Sequence, residues 1–265
     1  MLKTESRNEK TVNIDKMTTD EMLSVMQDEN EKAAFAVRRA IPEIRKTVDS
    51  VYLKMKNGGR LFYVGCGTSG RLGVLDASEI PPTYGVPQGV VIGIIAGGDS
   101  ALRFSSEGAE DDALKGRSDL LSYNITENDS VIGISAAGGA QYVVGALKLA
   151  KEKGAVTACI TSNENTKISE YSDYCIVVDT GAEVVTGSTR MKAGTAQKLV
   201  LNMISTSLMI KAGYVYENLM INLKPTNVKL RKRMINIVRS ILDCGEKEAE
   251  DRLEKSGWVI KNAVK

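Results

Sequence analysis

Histidine is absent from all 265 residues of the chain. This absence removes the most common general base, the Ser-His-Asp triad and nearly every catalytic zinc site. If the protein is an enzyme, its proton transfers must be carried out by Glu, Asp, Lys, Tyr or Cys. The composition therefore points to carboxylate, amine, phenol or thiol chemistry.

Cysteine is scarce, and no two of the four cysteines have the CxxC spacing of a redox or zinc motif. They are Cys66, Cys159, Cys175 and Cys244. Three of them lie in apolar or glycine-flanked runs, where cysteine is typically a small buried apolar residue. The pattern predicts reduced thiols without disulfides, which favours a cytoplasmic location.

A strong charge bias and long apolar runs are also missing. The formal net charge is +2 with both signs mixed along the chain, which gives no support for a nucleic-acid or membrane partner. The first ten residues, MLKTESRNEK, are too polar for a signal peptide. No apolar run reaches the length of a membrane span. We therefore expect a cytoplasmic protein with no nucleic-acid and no membrane partner.

The two ends of the chain are predicted to be helical. Residues 1–57 begin with a polar, loose stretch and continue as a helical hairpin, whose start is marked by the capping signal at residues 18–21. Pro42 predicts a kink or a break in this hairpin. Residues 216–265 are predicted to form a short tail of polar helices, in which the basic run at 229–233 is interpreted as a solvated helix face.

Residues 58–215 alternate between two patterns. Near-continuous apolar runs predict strands buried on both faces, at 61–65, 90–97, 130–135, 155–161 and 174–179. Helical segments are predicted near 70–79, 100–115, 140–153 and 192–212. Strands that alternate with helices imply right-handed crossovers. The predicted fold class is therefore α/β, with a five-stranded parallel sheet flanked by helices.

Three loops rich in glycine and small hydroxyl residues follow predicted strands, at 65–70, 135–140 and 186–192. We call them the first, second and third loop. Ligands bind at the carboxyl ends of strands in open parallel sheets, and free N–H groups at helix starts attract anions. Each loop alone is also compatible with a simple tight turn. Together they predict a phosphate site, with Arg190 or Lys192 supplying charge. The candidate binding residues in the loops are Gly67, Thr68, Ser69, Gly70, Ser135, Gly138, Ser188, Thr189, Arg190 and Lys192.

The first loop also satisfies the GxGxxG pattern of dinucleotide sites, from Gly65 to Gly70. It is not a P-loop, because no Gly-Lys-Ser/Thr follows. A dinucleotide site further requires an acidic residue about 20 positions later. The corresponding stretch reads PQGV, and Asp99 comes too late. A nucleotide ligand is therefore disfavoured.

Glu79 is a candidate general acid. It lies just before Ile80-Pro81-Pro82, where the helix is predicted to end. A carboxylate in a last helical turn faces the negative end of the helix dipole, and Asp76 is one turn away. Both effects favour the protonated form. The alternative is an exposed glutamate without a role.

Two further acidic positions are less specific. Glu110 belongs to an acidic cluster with Glu107, Asp111 and Asp112, and chemistry alone does not choose among these four. Glu183 precedes the third loop and is either a base or a structural partner of a nearby N–H group. Up to this point the residues indicate a sugar-phosphate enzyme or a sugar-phosphate binding module.

Longer sequence strings add a family resemblance. The strings are GTSGRLGVLDASEIPPTYGV at 67–86, IAGGDSALRFSSEGAEDDA at 95–113, GAEVVTGSTRMKAGTAQKLVLNMIST at 181–206 and NLMINLKPTNVKLRKRMINIV at 218–238. They resemble the N-acetylmuramic acid 6-phosphate etherases, which belong to the sugar isomerase (SIS) fold group. The similarity extends from about residue 10 to the end of the chain.

The resemblance implies release of D-lactate from N-acetylmuramic acid 6-phosphate by elimination followed by addition of water. The two catalytic glutamates of the family correspond to Glu79 in DASE, as the proton donor, and Glu110 in EGAED, as the base. It also implies that no metal or organic cofactor is needed. A homodimer with its sites near the subunit interface is expected.

The second loop departs from the family pattern Ala-Ser-Gly-Arg-Thr-Pro-Tyr, and reads AAGGAQY at 136–142. Two hydroxyls and a guanidinium are lost, and each charge-assisted hydrogen bond to an anion is worth roughly 1.5–3 kcal/mol. The alternatives are residual phosphate binding by backbone N–H groups and the other loops, or a different, unphosphorylated substrate. The C-terminal tail is also shorter than is usual in the family.

Two other functions share the fold. One is a sugar-phosphate-sensing regulator, since the glucokinase regulatory proteins carry a string similar to GSTRMKAGT at 187–195. A pure sensor has no need of an acid and base pair, which argues against it. The other is an aldose–ketose isomerase with Glu183 as base. Only the etherase would release lactate.

Overall fold

All five apolar runs form parallel strands of one sheet, as predicted. The computed structural model describes residues 2–265. The strands are β1 Leu61–Gly65, β2 Val91–Ile95, β3 Ser130–Ile134, β4 Val156–Thr161 and β5 Tyr174–Val177, in the order β2-β1-β3-β4-β5. The order reverses between β1 and β3, which is the point where open α/β sheets bind ligands. The first and second loops follow these two strands.

Helices cover both faces of the sheet. One face packs against α1 Thr19–Lys56, α2 Gly67–Tyr84 and α5 Lys192–Lys211, and the other packs against α3 Ala113–Leu121 and α4 Gln141–Glu152. Successive side chains of β1 alternate between the two cores, with Tyr63 in one and Phe62 in the other. This double burial explains why the strands read as continuous apolar runs.

The predicted N-terminal hairpin is instead a single helix of 38 residues, which passes through Pro42. The Thr18/Glu21 capping box starts it, as the sequence indicated. Proline in a helix interior costs about 3 kcal/mol. However, the buried positions keep helical spacing on both sides of the proline, with Ala36 and Ala40 before it and Ile44 and Val48 after it. Packing of this continuous stripe against the core outweighs the local preference.

One predicted helix is longer than expected, and another prediction was wrong. The helix expected near 70–79 continues to Tyr84 through two prolines, and Gly85 ends it with φ +65°. The helix expected near 100–115 is replaced by short 3-10 turns at Asp99–Leu102 and Ala109–Asp111, and α3 begins only at Ala113. Gly97 and Gly98, just before this stretch, and Gly108 within it have positive φ, which is incompatible with a continuous right-handed helix.

Helices α3 and α4 approach each other to backbone contact. A Cβ atom on Gly116 of α3 would lie 1.9 Å from the Tyr142 carbonyl oxygen of α4. A Cβ atom on Gly145 of α4 would lie 1.9 Å from the Ala113 carbonyl oxygen of α3. Only glycine fits at either position. The Tyr142 hydroxyl of α4 donates a hydrogen bond of 2.7 Å to Asp119 of α3, which is a further contact between the two helices.

The C-terminal tail has a small core of its own. It contains a two-stranded hairpin, β6 Val215–Tyr216 and β7 Leu219–Met220, and the helices α6 Val228–Leu242, α7 Glu246–Lys255 and α8 Ile260–Ala263. The basic run on α6 is exposed, which confirms the interpretation as a solvated face. Asn222 donates a hydrogen bond of 2.7 Å to the Tyr84 carbonyl and ties the tail to the end of α2. Within residues 2–265, no helix has the length and apolar character needed to cross a membrane.

Candidate functional site

The first loop forms the tight start of α2. A Cβ atom on Gly70 would lie 2.6 Å from the Gly65 carbonyl oxygen, so the turn requires glycine there. The Ser69 hydroxyl is buried and donates a hydrogen bond of 2.9 Å to the side chain of Gln197 on α5. Gly67 is exposed and Thr68 is half-buried. This end of α2 therefore offers backbone N–H groups and the Thr68 hydroxyl to a ligand.

A hydrogen bond within the second loop stabilises its conformation. The Ser135 hydroxyl accepts a hydrogen bond of 3.0 Å from the Gly138 N–H group. Gly138 has φ +79°, and a Cβ atom there would lie 2.3 Å from Thr166. Helix α4 begins at Gln141 without a side-chain cap, so its first N–H groups have no side-chain partner among the described residues. The two predicted binding residues in this loop thus bond to each other.

The third loop joins β5 to α5 and leaves Arg190 exposed. The Thr189 carbonyl accepts from Gly194, and Ser188 and Thr189 are half-buried. In residues 2–265, the Arg190 guanidinium makes no hydrogen bond or ion pair. It is therefore available to an anion that reaches this loop.

Lys192 and Glu183 are both buried and bonded within the protein. The Glu183 carboxylate accepts hydrogen bonds from the backbone N–H groups of Lys192, at 3.0 Å, and Ala193, at 2.9 Å. It therefore caps the start of α5 and interacts favourably with the positive end of the helix dipole. The Lys192 ammonium forms a buried ion pair with Glu29 of α1. Of the two roles that the sequence left open for Glu183, the geometry favours the structural partner of a nearby N–H group.

Glu29 was missed by the sequence reasoning, because an isolated glutamate in a polar helical stretch carries no signal. Burial opposes its ionisation, but hydrogen bonds from Lys192 and Lys32 outweigh this effect and hold the pKa of Glu29 below its ordinary value. The third loop is thus anchored to α1 by a buried charge pair.

The N-terminal segment, residues 2–17, is ordered over this edge of the sheet and is not the loose stretch that was predicted. The Thr11 hydroxyl donates a hydrogen bond of 2.7 Å to the Val184 carbonyl. The Asn163 side chain, after β4, donates to the Thr4 hydroxyl at 3.2 Å and accepts from the Lys3 N–H group at 2.8 Å. These contacts are polar, so no apolar periodicity could have revealed them.

Glu110 lines a cavity of about 350 Å³ next to the first loop. The wall also includes Cys66, Gly67 and Arg71. Arg71 donates to the Leu102 carbonyl at 3.1 Å and holds the loop that carries Glu110. Burial, together with the nearby carboxylates of Glu110 and Asp111, raises the pKa of the Cys66 thiol to about 12. The cavity thus joins one predicted catalytic residue to one predicted binding loop.

A larger cavity, of about 460 Å³, lies at the opposite edge of the sheet, beside the amino ends of β1 and β2. Its lining includes Gly59, Arg60 and Val90, and none of the predicted site residues. Its position at the amino ends of the strands argues against it as the ligand site, because ligands of such sheets bind at the carboxyl ends.

Glu79 is exposed and does not line the Glu110 cavity. Twelve residues separate it from Gly67 on α2, so at 1.5 Å per residue the two lie roughly 18 Å apart along the helix axis. It is also more than one turn from the end of α2 at Tyr84, contrary to the prediction. Within one chain, Glu79 therefore lies outside the cavity that contains Glu110.

Asp76, one turn before Glu79, is buried and faces α5. It accepts hydrogen bonds from Asn202, at 2.8 Å, and Ser205, at 3.1 Å. Burial raises its pKa above the ordinary value, although these hydrogen bonds oppose the shift. Asp76 thus clamps α2 to α5. In residues 2–265, no group of three or more His, Cys, Asp or Glu side chains is placed to hold a metal ion.

Solved structures share the fold at low sequence identity. A phosphoheptose isomerase from Francisella tularensis has a TM-score of 0.57 and 14% identity, over 73% of this chain and 100% of that chain. A protein from Escherichia coli CFT073 has a TM-score of 0.54 and 15% identity, over 76% of this chain and 97% of that chain. The parallel sheet flanked by helices is therefore the SIS fold that the resemblance implied.

Sequence comparisons identify the family. Two protein-family models match, the SIS domain over residues 104–207 and the glucokinase regulatory protein N-terminal SIS domain over residues 43–151. The N-acetylmuramic acid 6-phosphate etherase of Caldanaerobacter subterraneus subsp. tengcongensis is 52% identical over 98% of this chain and 85% of its own length. That of Clostridium beijerinckii is 52% identical over 99% of this chain and 86% of its own length. The chain therefore belongs to the N-acetylmuramic acid 6-phosphate etherase family.

Proposed function

We propose that this protein cleaves the D-lactyl ether of N-acetylmuramic acid 6-phosphate and gives N-acetylglucosamine 6-phosphate and D-lactate. The observation that carries the proposal is the 52% identity to an etherase over 98% of the chain. The position of Glu110 in a cavity beside the first loop supports it. The four cysteines are all free thiols, which fits a reaction in the reducing cytoplasm.

The proposed reaction begins with removal of the proton at C2 of the open-chain sugar. This proton is acidic because C2 is next to the C1 carbonyl. Glu110 acts as the base, and the electron pair forms the C2–C3 double bond while the lactyl oxygen leaves C3 with a proton from Glu79. Water then adds to C3 of the unsaturated intermediate. The steps are proton transfers, cleavage of the C3–O bond and addition of water, so the scheme requires no cofactor.

We assign substrate recognition to solvent-accessible residues of the loops. Gly67, Thr68 and the exposed Arg190 are the groups best placed to contact the substrate phosphate. The uncapped start of α4 supplies N–H groups in place of the hydroxyls and guanidinium that the second loop lacks. Lys192 and Glu183 then support the third loop from beneath. Their direct contact with substrate remains a prediction.

A homodimer would resolve the separation of the two glutamates. We place Glu79 of a second copy at the rim of the Glu110 cavity, because within one chain it points to solvent. Apolar side chains are exposed on the same helix and on α1, among them Leu75 at 50%, Phe35 at 64% and Leu53 at 62%. Contact between two copies would cover part of this exposed apolar surface.

Lactate release from N-acetylmuramic acid 6-phosphate tests the activity. The parent protein should release one lactate per sugar, whereas Glu79→Gln and Glu110→Gln should reduce kcat at least about 100-fold, the usual contribution of a general acid or base. Asp111→Asn is the matched control, because it removes an exposed carboxylate next to Glu110 that is not part of the cavity wall. No lactate from a folded parent would overturn the proposal.

Mixing the two inactive variants tests the shared site. If each site combines Glu110 of one subunit with Glu79 of the other, half of the randomly re-formed dimers are mixed, and each mixed dimer has one intact site. Activity should then return to about a quarter of the parent value. If both glutamates act within one subunit, the mixture stays inactive, although lactate release by the parent is unaffected.

A non-catalytic regulator is the second candidate. The match to the glucokinase regulatory protein N-terminal SIS domain over residues 43–151 favours it. A regulator would bind a sugar phosphate measurably by calorimetry, but would release no lactate. The isomerase alternative needs Glu183 as a base, and this carboxylate is buried beneath the start of α5.

A further inference from the structure

Cys159 of β4 and Cys175 of β5 are direct partners in the parallel ladder. Neighbouring strands lie about 4.8 Å apart, and register partners project to the same face of the sheet. Disulfides join Cα atoms that are about 4.4–6.8 Å apart. The register therefore places two thiols within the range of a covalent bond, although the sequence, with 15 residues between them, gave no sign of a pair.

The two thiols differ in exposure. Both pack in the core beneath α4, but Cys159 is fully buried, whereas Cys175 is partly exposed on the edge strand of the sheet. The Cys175 thiol lies 3.7 Å from the Ser169 carbonyl oxygen, to which it donates. One residue of the pair is thus partly accessible to solvent and the other is not, as in pairs of attacking and resolving cysteines.

The surroundings also favour reaction at Cys175. The adjacent Cys159 thiol lowers the pKa of Cys175 below its ordinary value. The same contact, together with burial, raises the pKa of Cys159 well above its ordinary value. The lowered pKa favours the thiolate, the nucleophilic form, at Cys175, and the raised pKa favours the protonated thiol at Cys159.

We propose that Cys159 and Cys175 form a modification site, a dithiol that a peroxide oxidises to a disulfide between β4 and β5. The Cys175 thiolate attacks one peroxide oxygen, the O–O bond breaks, and a sulfenic acid and a hydroxide ion form. The hydroxide takes up the proton that the Cys175 thiol released on ionisation and becomes one water. The Cys159 sulfur then attacks the Cys175 sulfur, loses its proton and displaces the hydroxyl as a second water. Two thiols are oxidised, and one hydrogen peroxide is reduced to two waters.

The disulfide would join the strand that leads to the loop around Asn163 to the strand that leads to the third loop. β4 continues into Asn163, which holds the N-terminal segment, and β5 continues towards Glu183 and the third loop. The oxidised protein would therefore keep these two loops in a fixed relation even when the edge strand loosens. The inference does not depend on the proposed etherase activity.

Mass spectrometry of the peroxide-treated protein tests the site. The intact mass should fall by two hydrogen atoms, and the thiols titratable after denaturation should fall from four to two. Trypsin should release the peptides 154–167 and 168–190 as one disulfide-linked species that dithiothreitol separates. A mass gain of oxygen without this link, or a link that involves Cys66 or Cys244, would overturn the proposal.

Variants assign the roles of the two sulfurs. Cys175→Ser should abolish the mass loss, and Cys159→Ala should convert it into a gain of oxygen at Cys175. Cys244→Ser, in the C-terminal tail, is the control and should lose two hydrogens as the parent does. Unchanged disulfide formation in Cys175→Ser would contradict the proposal. The peptide map of the unsubstituted protein decides the question even if Cys159→Ala does not fold.

Discussion

The second and third loops lie at the same edge of the sheet but are held in different ways. Beneath the third loop, Glu183 caps α5 and Lys192 pairs with Glu29, and all three side chains are buried. The second loop has no buried charge. The Ala136 carbonyl accepts hydrogen bonds from Ser162, at 2.9 Å, and from the Asn163 side chain, at 3.1 Å.

The difference separates two tasks of a binding site. A buried charge network fixes the position of a loop, but the charges that do so are no longer free to meet a ligand. The second loop adds no charge, and its backbone N–H groups other than those of Ser135 and Gly138 are open to a ligand. In this protein the third loop is anchored by buried charges and has one exposed cation, Arg190, whereas the second loop has no charged side chain. Changing each loop in turn tests this division.

The largest effect is expected from Glu29→Gln. The substitution leaves the Lys192 ammonium buried without its counter-charge, which costs about 3–5 kcal/mol of unfolding free energy. Urea unfolding at neutral pH measures the change. Lys32→Met removes the other, half-exposed partner of Glu29 and should cost less than about 1 kcal/mol. Equal stability of Glu29→Gln and the parent would show that the pair does not anchor the third loop.

The second prediction concerns variants in which the second loop regains the side chains of the family pattern. Ala137→Ser, Gly139→Arg and Ala140→Thr together should tighten binding of a 6-phosphosugar at least about tenfold, since one charge-assisted hydrogen bond alone supplies that much. Gly139 accepts a side chain because its Cβ position is open space. Calorimetry measures the affinity, and Gly139→Glu is the control that should weaken binding. Unchanged affinity of the triple variant would remove this loop from the phosphate site.

The third prediction concerns pH. The pKa of Glu29 is held below its ordinary value of 4.5 in the folded protein. Its contribution to stability is therefore present above pH 4.5 and is lost as the pH falls through the folded-state value. The parent should lose more unfolding free energy than Glu29→Gln between about pH 6 and about pH 3. Parallel pH profiles for the two proteins would contradict this assignment, and other acids cancel in the comparison.

The smallest effect is expected from Thr11→Val, which removes the hydrogen bond to the Val184 carbonyl at nearly constant shape. Loss of one buried hydrogen bond should cost about 1 kcal/mol. Faster amide exchange of residues 3–11 would show where the stability is lost. Thr11→Ser keeps the hydroxyl and should exchange as the parent does. If Thr11→Val also matches the parent, this contact does not hold the N-terminal segment in place.

Much of the sheet was predictable, because strands buried on both faces leave continuous apolar runs in the sequence. The helices were less predictable where proline or glycine was decisive. Pro42 predicted a break that the apolar stripe of α1 overrides, whereas the glycines near Asp99 turn a helix-like stretch into short 3-10 turns. Local preference won only where no core packing opposed it.

The candidate site was predictable as three loops at one edge, since strand ends in a parallel sheet meet there. The contacts that each side chain makes in the site were not predictable. Nothing in the sequence shows that Lys192 faces Glu29 or that Thr11 reaches Val184, because these contacts join residues distant along the chain. The distance between Glu79 and Gly67 follows from helix geometry only once α2 is known to be unbroken.

The close approach of α3 and α4 also limits how the Glu110 loop can vary. Helix α3 begins three residues after Glu110. Its distance from α4 is set by the close contact between Gly116 and the Tyr142 carbonyl oxygen. Any larger residue at 116 would push the helix outward and carry the preceding turn with it. The position of Glu110, the proposed base, therefore depends on the close contact between α3 and α4. A substitution at Gly116 can therefore affect the proposed chemistry, although Gly116 does not line the cavity.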